Sequence, residues 1–266
     1  MKSIRTNGCR WIGWMLVVGL AMMRPLRAQS EFNKQTFTTA EGNVLPYRIL
    51  YPKSYDRAKK YPLVVVLHGA GERGDDNEKQ LALGSSLFLD EKNRRNFPAI
   101  VLFPQCPTTS FWASVQIDRR TTPYTIGFDY KAHVNWPMQA VVELVQQMKL
   151  EGLVDKNRLC LLGISMGGLG VFETLATQPD LFTTAVSICG GGKPEDAPVY
   201  ARKVRLWLFH GGSDSVVNVE YSRRMVARLK ELKADVRYTE YHGVDHESWE
   251  PALAEPELLE WLFKRK

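Results

Sequence analysis

Cysteine is scarce in this sequence, with four residues in 266. Cys9, Cys106, Cys160 and Cys189 have no framework spacing, so a fold stapled by disulfides and a cysteine-built zinc site are both excluded. Whether two of the last three join is not given by their spacing. Histidine is equally sparse, at five residues. His242 and His246 are four apart, but Gly243 between them argues against one helical face carrying two ligands. No metal and no cofactor is expected. Long apolar runs are also missing. The longest, Trp11–Met23, is too short to cross a bilayer as a helix, which takes about 20 residues. There is no internal repeat, no low-complexity tract and no linker that would divide the chain after residue 28.

The short apolar run has a specific setting. Lys2, Arg5 and Arg10 precede it, and Arg24-Pro-Leu-Arg-Ala28-Gln29 follows. A basic start, an apolar centre and a small residue at the end describe an export signal over residues 1–28, with the mature chain starting at Gln29 and a secreted or periplasmic destination. Arg24 and Arg27 are the features of the rival reading, an uncleaved anchor. Residues 1–28 hold five basic and no acidic side chains, so the formal net charge of +6 largely belongs to them; 30 basic and 29 acidic residues remain. The pairs Arg94-Arg95, Arg119-Arg120 and Arg223-Arg224 are scattered and lack interleaved aromatics. A nucleic-acid partner is therefore not expected, nor is stable membrane association once the signal is removed.

What the rest contains is alternation. Gln35–Phe37 and Val44–Tyr51 read as an antiparallel pair turned at Glu41-Gly-Asn43. Strand signals follow at Leu63–Leu67, Ala99–Phe103, Arg158–Gly163, Thr184–Cys189, Val204–Phe209 and Asp235–Tyr241. Helical spacing falls between them at Glu78–Leu89, Trp136–Leu150, from Met166, at Val217–Lys233 and at Pro251–Lys264. This order predicts one α/β domain over residues 29–266, a mostly parallel sheet with helices on both faces. Cys106–Asn135 breaks the rhythm. Thirty residues without a clear element in a compact domain point to an embellishment of a site.

The sharpest local signal is Leu159-Cys-Leu-Leu-Gly-Ile-Ser165-Met-Gly-Gly-Leu-Gly170. A buried strand stops at a serine with glycines two places before it and two and three places after. Such a strand-to-helix turn holds a nucleophilic hydroxyl clear of the sheet edge. The bland alternative is a serine that caps the next helix. A serine nucleophile needs a base, and the base needs a carboxylate. Functional groups of parallel sheets collect at the carboxyl ends of strands. Asp214 follows Val204–Phe209, where a helix cap is its other use. His246 lies in the loop after Asp235–Tyr241 and is assigned as the base over His242, which abuts the strand. The order Ser, Asp, His suits this architecture. His68-Gly-Ala-Gly71 after Leu63–Leu67 supplies inward-turned backbone N–H groups, so the N–H of Ala70 and of Met166 are the expected oxyanion donors.

The segments VVVLHGAGERGDDN, FPQCP…W, DKNRLCLLGISMGG, FHGGSDSVV and GVDHESW together resemble secreted α/β-hydrolase esterases. The nearer groups are prolyl-oligopeptidase-like hydrolases and the feruloyl/acetylxylan esterases of carbohydrate esterase family 1. The resemblance covers about residues 44–262. It implies the α/β-hydrolase fold, metal-free ester hydrolysis and Ser165, Asp214 and His246 as triad. The elbow residue is serine where dienelactone hydrolases have cysteine and haloalkane dehalogenases aspartate, which favours acyl-enzyme chemistry on esters. A serine peptidase, an acyltransferase and a catalytically silent binding module are the alternatives. Aromatic residues of the insert, above all Trp112, together with Trp249, are expected to contact an ester substrate, a small molecule or an oligosaccharide bearing acetyl or hydroxycinnamoyl groups.

Overall fold

Tyr61–Leu67 is apolar without a break, and its alternate side chains enter two different cores. Leu63, Val65 and Leu67 join one cluster, while Val64 and Val66 join the other. That is what a central strand covered on both faces requires. The protein is described here by a computed structural model covering residues 31–130 and 135–264. The export signal expected over residues 1–28 lies outside the described residues.

Eight strands form the main sheet: β1 (Asn33–Thr38), β2 (Val44–Leu50), β3 (Tyr61–Leu67), β4 (Ile100–Pro104), β7 (Val154–Ile164), β8 (Thr184–Ile188), β9 (Arg205–Gly211) and β10 (Val236–Tyr241). They lie in the order β1-β2-β4-β3-β7-β8-β9-β10. The β1/β2 and β2/β4 pairs are antiparallel, and every other pair is parallel. The predicted N-terminal hairpin and parallel core are thus both present. Helices Trp136–Leu150, Met166–Thr177 and Glu220–Glu231 cover one face, where Met138, Val141, Val145, Phe172 and Met225 are buried. Helices Ser85–Leu89, Trp249–Leu253 and Leu258–Phe263 cover the other.

Three segments differ from expectation. The helix predicted over Glu78–Leu89 is a short 3-10 turn, Lys79–Leu81, followed by Ser85–Leu89. Gly84 separates them at φ 82°, a left-handed conformation that no continuous helix accepts. The last helix is likewise split, with Pro256 in the gap between Trp249–Leu253 and Leu258–Phe263. The insert contains a hairpin of its own, β5 (Val115–Asp118) and β6 (Thr125–Phe128). Ile126 and Phe128 pack on Tyr221 of helix Glu220–Glu231, and the Ile126 N–H donates to the Tyr221 hydroxyl at 2.7 Å. Short-range periodicity misses this hairpin because its stability comes from a helix nearly a hundred residues away.

Candidate active site

Ser165 sits between β7 and helix Met166–Thr177 with φ 53° and ψ −111°, outside the conformations an L-residue prefers. Its neighbours make the turn geometrically available. A Cβ on Gly163 would stand 2.1 Å from the Gly167 carbonyl oxygen, and one on Gly167 would stand 2.1 Å from that of Leu67. Only glycine fits where strand, turn and helix cross this closely. The Ser165 N–H donates to Ile188 O at 2.8 Å, tying the apex to β8. The serine side chain makes no cap bond to the helix. Its Oγ meets His246 Nε2 at 2.9 Å instead.

His246 Nδ1 lies 2.8 Å from Asp214 Oδ2. A carboxylate only accepts, so Nδ1 carries the proton and Nε2 is left to accept from the serine. Asp214 follows β9 and is buried. Its Oδ1 accepts from the Val216 and Val217 N–H groups, both at 2.8 Å. The two roles considered for Asp214 therefore coexist: one oxygen orders the loop, the other orients the histidine. Burial raises the Asp214 carboxyl, but hydrogen bonds from His210 and His246 and from the Val216 N–H outweigh it and hold the group well below the usual carboxylate range. The loop carrying His246 is fixed from below. Asp245 accepts from the Ser215 N–H at 2.7 Å and from the His246 N–H at 2.8 Å. Gly211 lets that loop lie against β9, since a Cβ there would be 2.2 Å from Asp245 O. His242 is exposed in the turn after β10 and takes no part.

The expected oxyanion loop runs beside the serine. A Cβ on Gly69 would stand 3.8 Å from Ser165 Cβ. Ala70 opens a 3-10 turn, Ala70–Glu72, and Met166 opens the helix behind Ser165, so the Met166 N–H has no acceptor within its own helix. His68 braces the loop in a way its sequence position did not reveal. Its Nε2 accepts from the Cys106 N–H at 3.0 Å, so Nδ1 is the nitrogen that donates to Gly69 O at 2.6 Å. Burial drives this imidazole down to about 4, against the Gly69 bond, so it is neutral at pH 7. Arg73 Nε donates to Ala70 O at 3.0 Å, and the guanidinium covers the Phe111 ring at 4.6 Å. The half-buried Glu72 carboxyl, raised by burial, lies near enough to Gly69 that a Cβ there would be 3.0 Å from Oε2.

Trp112 requires a correction. It was expected to face substrate, yet it is fully buried. Its Nε1–H donates to His68 O at 3.1 Å, and its Cβ would be 2.6 Å from a Cβ on Gly170. Trp112 is a strut: its indole N–H holds the end of β3, and its Cβ is crossed closely by the helix behind Ser165. Trp249 is half-buried and stands edge-on to the His246 ring at 5.4 Å. It also lines a cavity of about 840 Å³ with Leu83, Leu87 and Leu253.

Cys106, Cys160 and Cys189 are buried free thiols. Burial pushes Cys106 and Cys160 up to about 12. Among the described residues, one His/Cys/Asp/Glu group has donor atoms close enough to share an ion: Cys189, Asp214 and His246, within 4.8 Å. Asp214 and His246 are already bonded to each other, and the Cys189 thiol is raised by burial and by Asp214, which opposes the thiolate a metal needs. The donor set does not suit a resident metal.

The phospholipase/carboxylesterase family matches residues 125–256, a span that holds Ser165, Asp214 and His246 but not the Ala70 loop. A thermostable esterase of known structure is 37% identical, with a TM-score of 0.79; the match covers 89% of this chain and 63% of that one. Esterase YpfH of Escherichia coli (strain K12) is 24% identical over 129 residues, which are 46% of this chain and 54% of that one. This chain therefore spans less than two thirds of the length of either relative. A ferulic acid esterase from Anaeromyces mucronatus, solved in complex with ferulic acid, shares the fold at a TM-score of 0.61 and 16% identity, with 88% and 90% of the two chains covered.

Proposed function

We propose that this α/β-hydrolase is a serine carboxylesterase working through Ser165, His246 and Asp214. The observation that carries the reading is the unbroken hydrogen-bonded chain from Ser165 Oγ through His246 to Asp214, hung on a serine with positive φ. His246 Nε2 takes the proton as Oγ attacks the ester carbonyl. Asp214, ionised through the working range, steadies the imidazolium that forms. The N–H groups of Ala70 and Met166 are assigned to the developing oxyanion. His246 then gives the proton to the departing alcohol. Water, deprotonated by the same histidine, attacks the acyl-enzyme, releasing the acid and restoring Ser165.

The substrate reading is finer. Acetyl and hydroxycinnamoyl esters of plant polysaccharide fragments, met after export from the cell, are the proposed class, with simple short-chain esters as the minimal one. Phe111 and Trp249 are the half-buried aromatic residues beside the oxyanion loop and His246. Flat aromatic faces there suit a phenolic acyl group or a sugar ring. The ferulic acid esterase likeness adds the fold and nothing more.

Ser165→Ala is the test. It should keep the thermal unfolding profile and lower kcat on a 4-nitrophenyl ester by about 10⁶ if the serine acts as nucleophile, the scale seen for removal of such a group in subtilisin. A fluorophosphonate should label Ser165 in the wild type. Turnover within tenfold of wild type by the folded variant would refute the mechanism. Cleavage of peptides with none of esters would move the activity to the peptidase class.

A further inference from the structure

His210 closes β9 and is fully buried, four residues before Asp214. Its surroundings can be read atom by atom. Nε2 lies 3.1 Å from Asp214 Oδ2 and 2.9 Å from Val217 O. Nδ1 lies 2.8 Å from Ser222 Oγ, and that hydroxyl donates to Gly190 O at 3.2 Å. Both neighbours of Nε2 are pure acceptors, so Nε2 carries a proton. The Ser222 hydroxyl lies between Nδ1 and Gly190 O and holds the ring in place from the far side. His210 therefore turns its Nε2–H toward the buried Asp214 carboxylate and the Val217 carbonyl.

From this network we propose that His210 is a positioning residue for ester hydrolysis: by donating to the Asp214 oxygen that also accepts from His246, it fixes that carboxylate and limits how strongly it raises the basicity of His246. The proposal rests on the serine-esterase reading above. Asp214 then faces four donors: two backbone N–H groups on Oδ1, His246 on Oδ2, and the His210 Nε2–H, which Oδ2 shares with Val217 O. A carboxylate has about four lone-pair sites, so it cannot rotate without breaking one. A carboxylate shared between two imidazoles also stabilises the His246 imidazolium less than an unshared one would. That keeps the base free to accept a proton at lower pH.

The other charged groups around His210 are accounted for. Glu240 sits opposite it in register on β10. Glu240 is already held by Arg223 of helix Glu220–Glu231, at 2.6 and 3.0 Å, and by the Tyr238 hydroxyl at 2.7 Å. From the same helix comes Ser222. From the segment just after β8 come Gly190 O and the Cys189 thiol, the latter beside Asp214. Asp214 is therefore the one buried acceptor of negative charge bonded to the His210 ring among the described residues.

The test is the acid limb of kcat/KM, measured on a 4-nitrophenyl ester from pH 4.5 to 9 and normalised to active sites by fluorophosphonate titration. His210→Phe keeps a ring of similar size and removes the donor that faces Asp214; the acid limb should move up by on the order of one pH unit. Ser222→Ala leaves His210 in place and removes the hydroxyl that orients its ring; the limb should move the same way by a smaller amount, and this variant decides if His210→Phe does not fold. A role confined to holding β9 to helix Glu220–Glu231 would lower the titratable fraction and leave the limb where it is. A limb unmoved or shifted down in the folded variants would overturn the proposal. Activity surviving in Ser165→Ala would instead strike the esterase mechanism itself, so the two failures read differently.

Discussion

Replacing Trp112 with alanine removes one of the two largest fully buried side chains, and with it the donor to His68 O. Deleting a buried Trp typically costs ~3–5 kcal/mol, the spread reflecting how far the site collapses. Collapse is limited here. On one side is Gly170, whose backbone crosses close to the Trp112 Cβ, an atom the alanine variant keeps in place. On the other is the neutral His68 ring, edge-on at 5.2 Å. For a domain of this size about 2–4 °C of Tm accompany each kcal/mol, so a fall of roughly 6–20 °C is expected. Trp112→Phe should fall less, by ~1–3 kcal/mol, chiefly from leaving the His68 carbonyl without its donor. Both are measured by thermal unfolding followed by circular dichroism. Because the His68 Nδ1–H holds Gly69 O, disturbance should reach the expected oxyanion loop and lower kcat on acetyl, feruloyl and aliphatic esters alike, with KM ratios unchanged. A Trp112→Ala protein with Tm within 2 °C of wild type, and a KM rise confined to one ester class, would refute this and return the indole to the substrate.

Two further outcomes follow from the elbow and from the helix behind it. Gly163→Ala would force β7 and the start of helix Met166–Thr177 apart by about an ångström, from the 2.1 Å approach to Gly167 O; a nucleophile misplaced on that scale loses ~10²-fold in kcat, whereas Gly71→Ala, which meets nothing within 4 Å, should unfold like the wild type in the same assays, and equal activity of Gly163→Ala and wild type would show that the crossing is not tight. Glu173 is fully buried and accepts from the Ser114 N–H and hydroxyl; burial raises its carboxyl above the ordinary 4.5, against those bonds. The folded state therefore keeps a proton that the unfolded chain releases, so its contribution to stability is full below the ordinary carboxyl range and falls as pH rises through the raised value. Urea denaturation of wild type and Glu173→Gln should show a difference that shifts against the wild type between pH 4 and 7; a difference constant with pH would contradict it.

How far the sequence reached depends on the range of the interaction in question. The elbow was legible because its pattern is local: Gly163, Ser165 and Gly167 lie within five positions, and Gly163 is demanded by the Gly167 backbone, although Gly167 itself is demanded by Leu67 of the neighbouring strand. Asp214 and His246 were legible by a topological rule, the strand-end placement of functional groups in parallel sheets, which needs only strand boundaries good to a residue or two. The N-terminal hairpin and helix Trp136–Leu150 followed from period and turn chemistry. The break at Gly84 could have been anticipated, since glycine ends helices readily; periodic leucines on both sides hid it. Trp112 and the β5/β6 hairpin were out of reach. An aromatic residue in a polar loop looks exposed unless one knows that Gly170, nearly sixty positions on, leaves space beneath it.

His210 lies between these cases. Its place was visible: a histidine ending a buried strand, followed by Gly211-Gly212 and, four positions on, by Asp214. Its role was not, because the contacts that define it are made by Ser222 on the next helix and by Asp214 in the loop beyond β9. Three strand-end segments and one helix must be assembled before the surroundings of the ring are complete. The same holds for Asp214, whose two oxygens serve the loop, His246 and His210 together. A sequence names the groups that do chemistry when their spacing is dictated by one turn or one strand end. The groups that set the strength of that chemistry are chosen by which donors remain unused after folding, and those emerge from the assembled network.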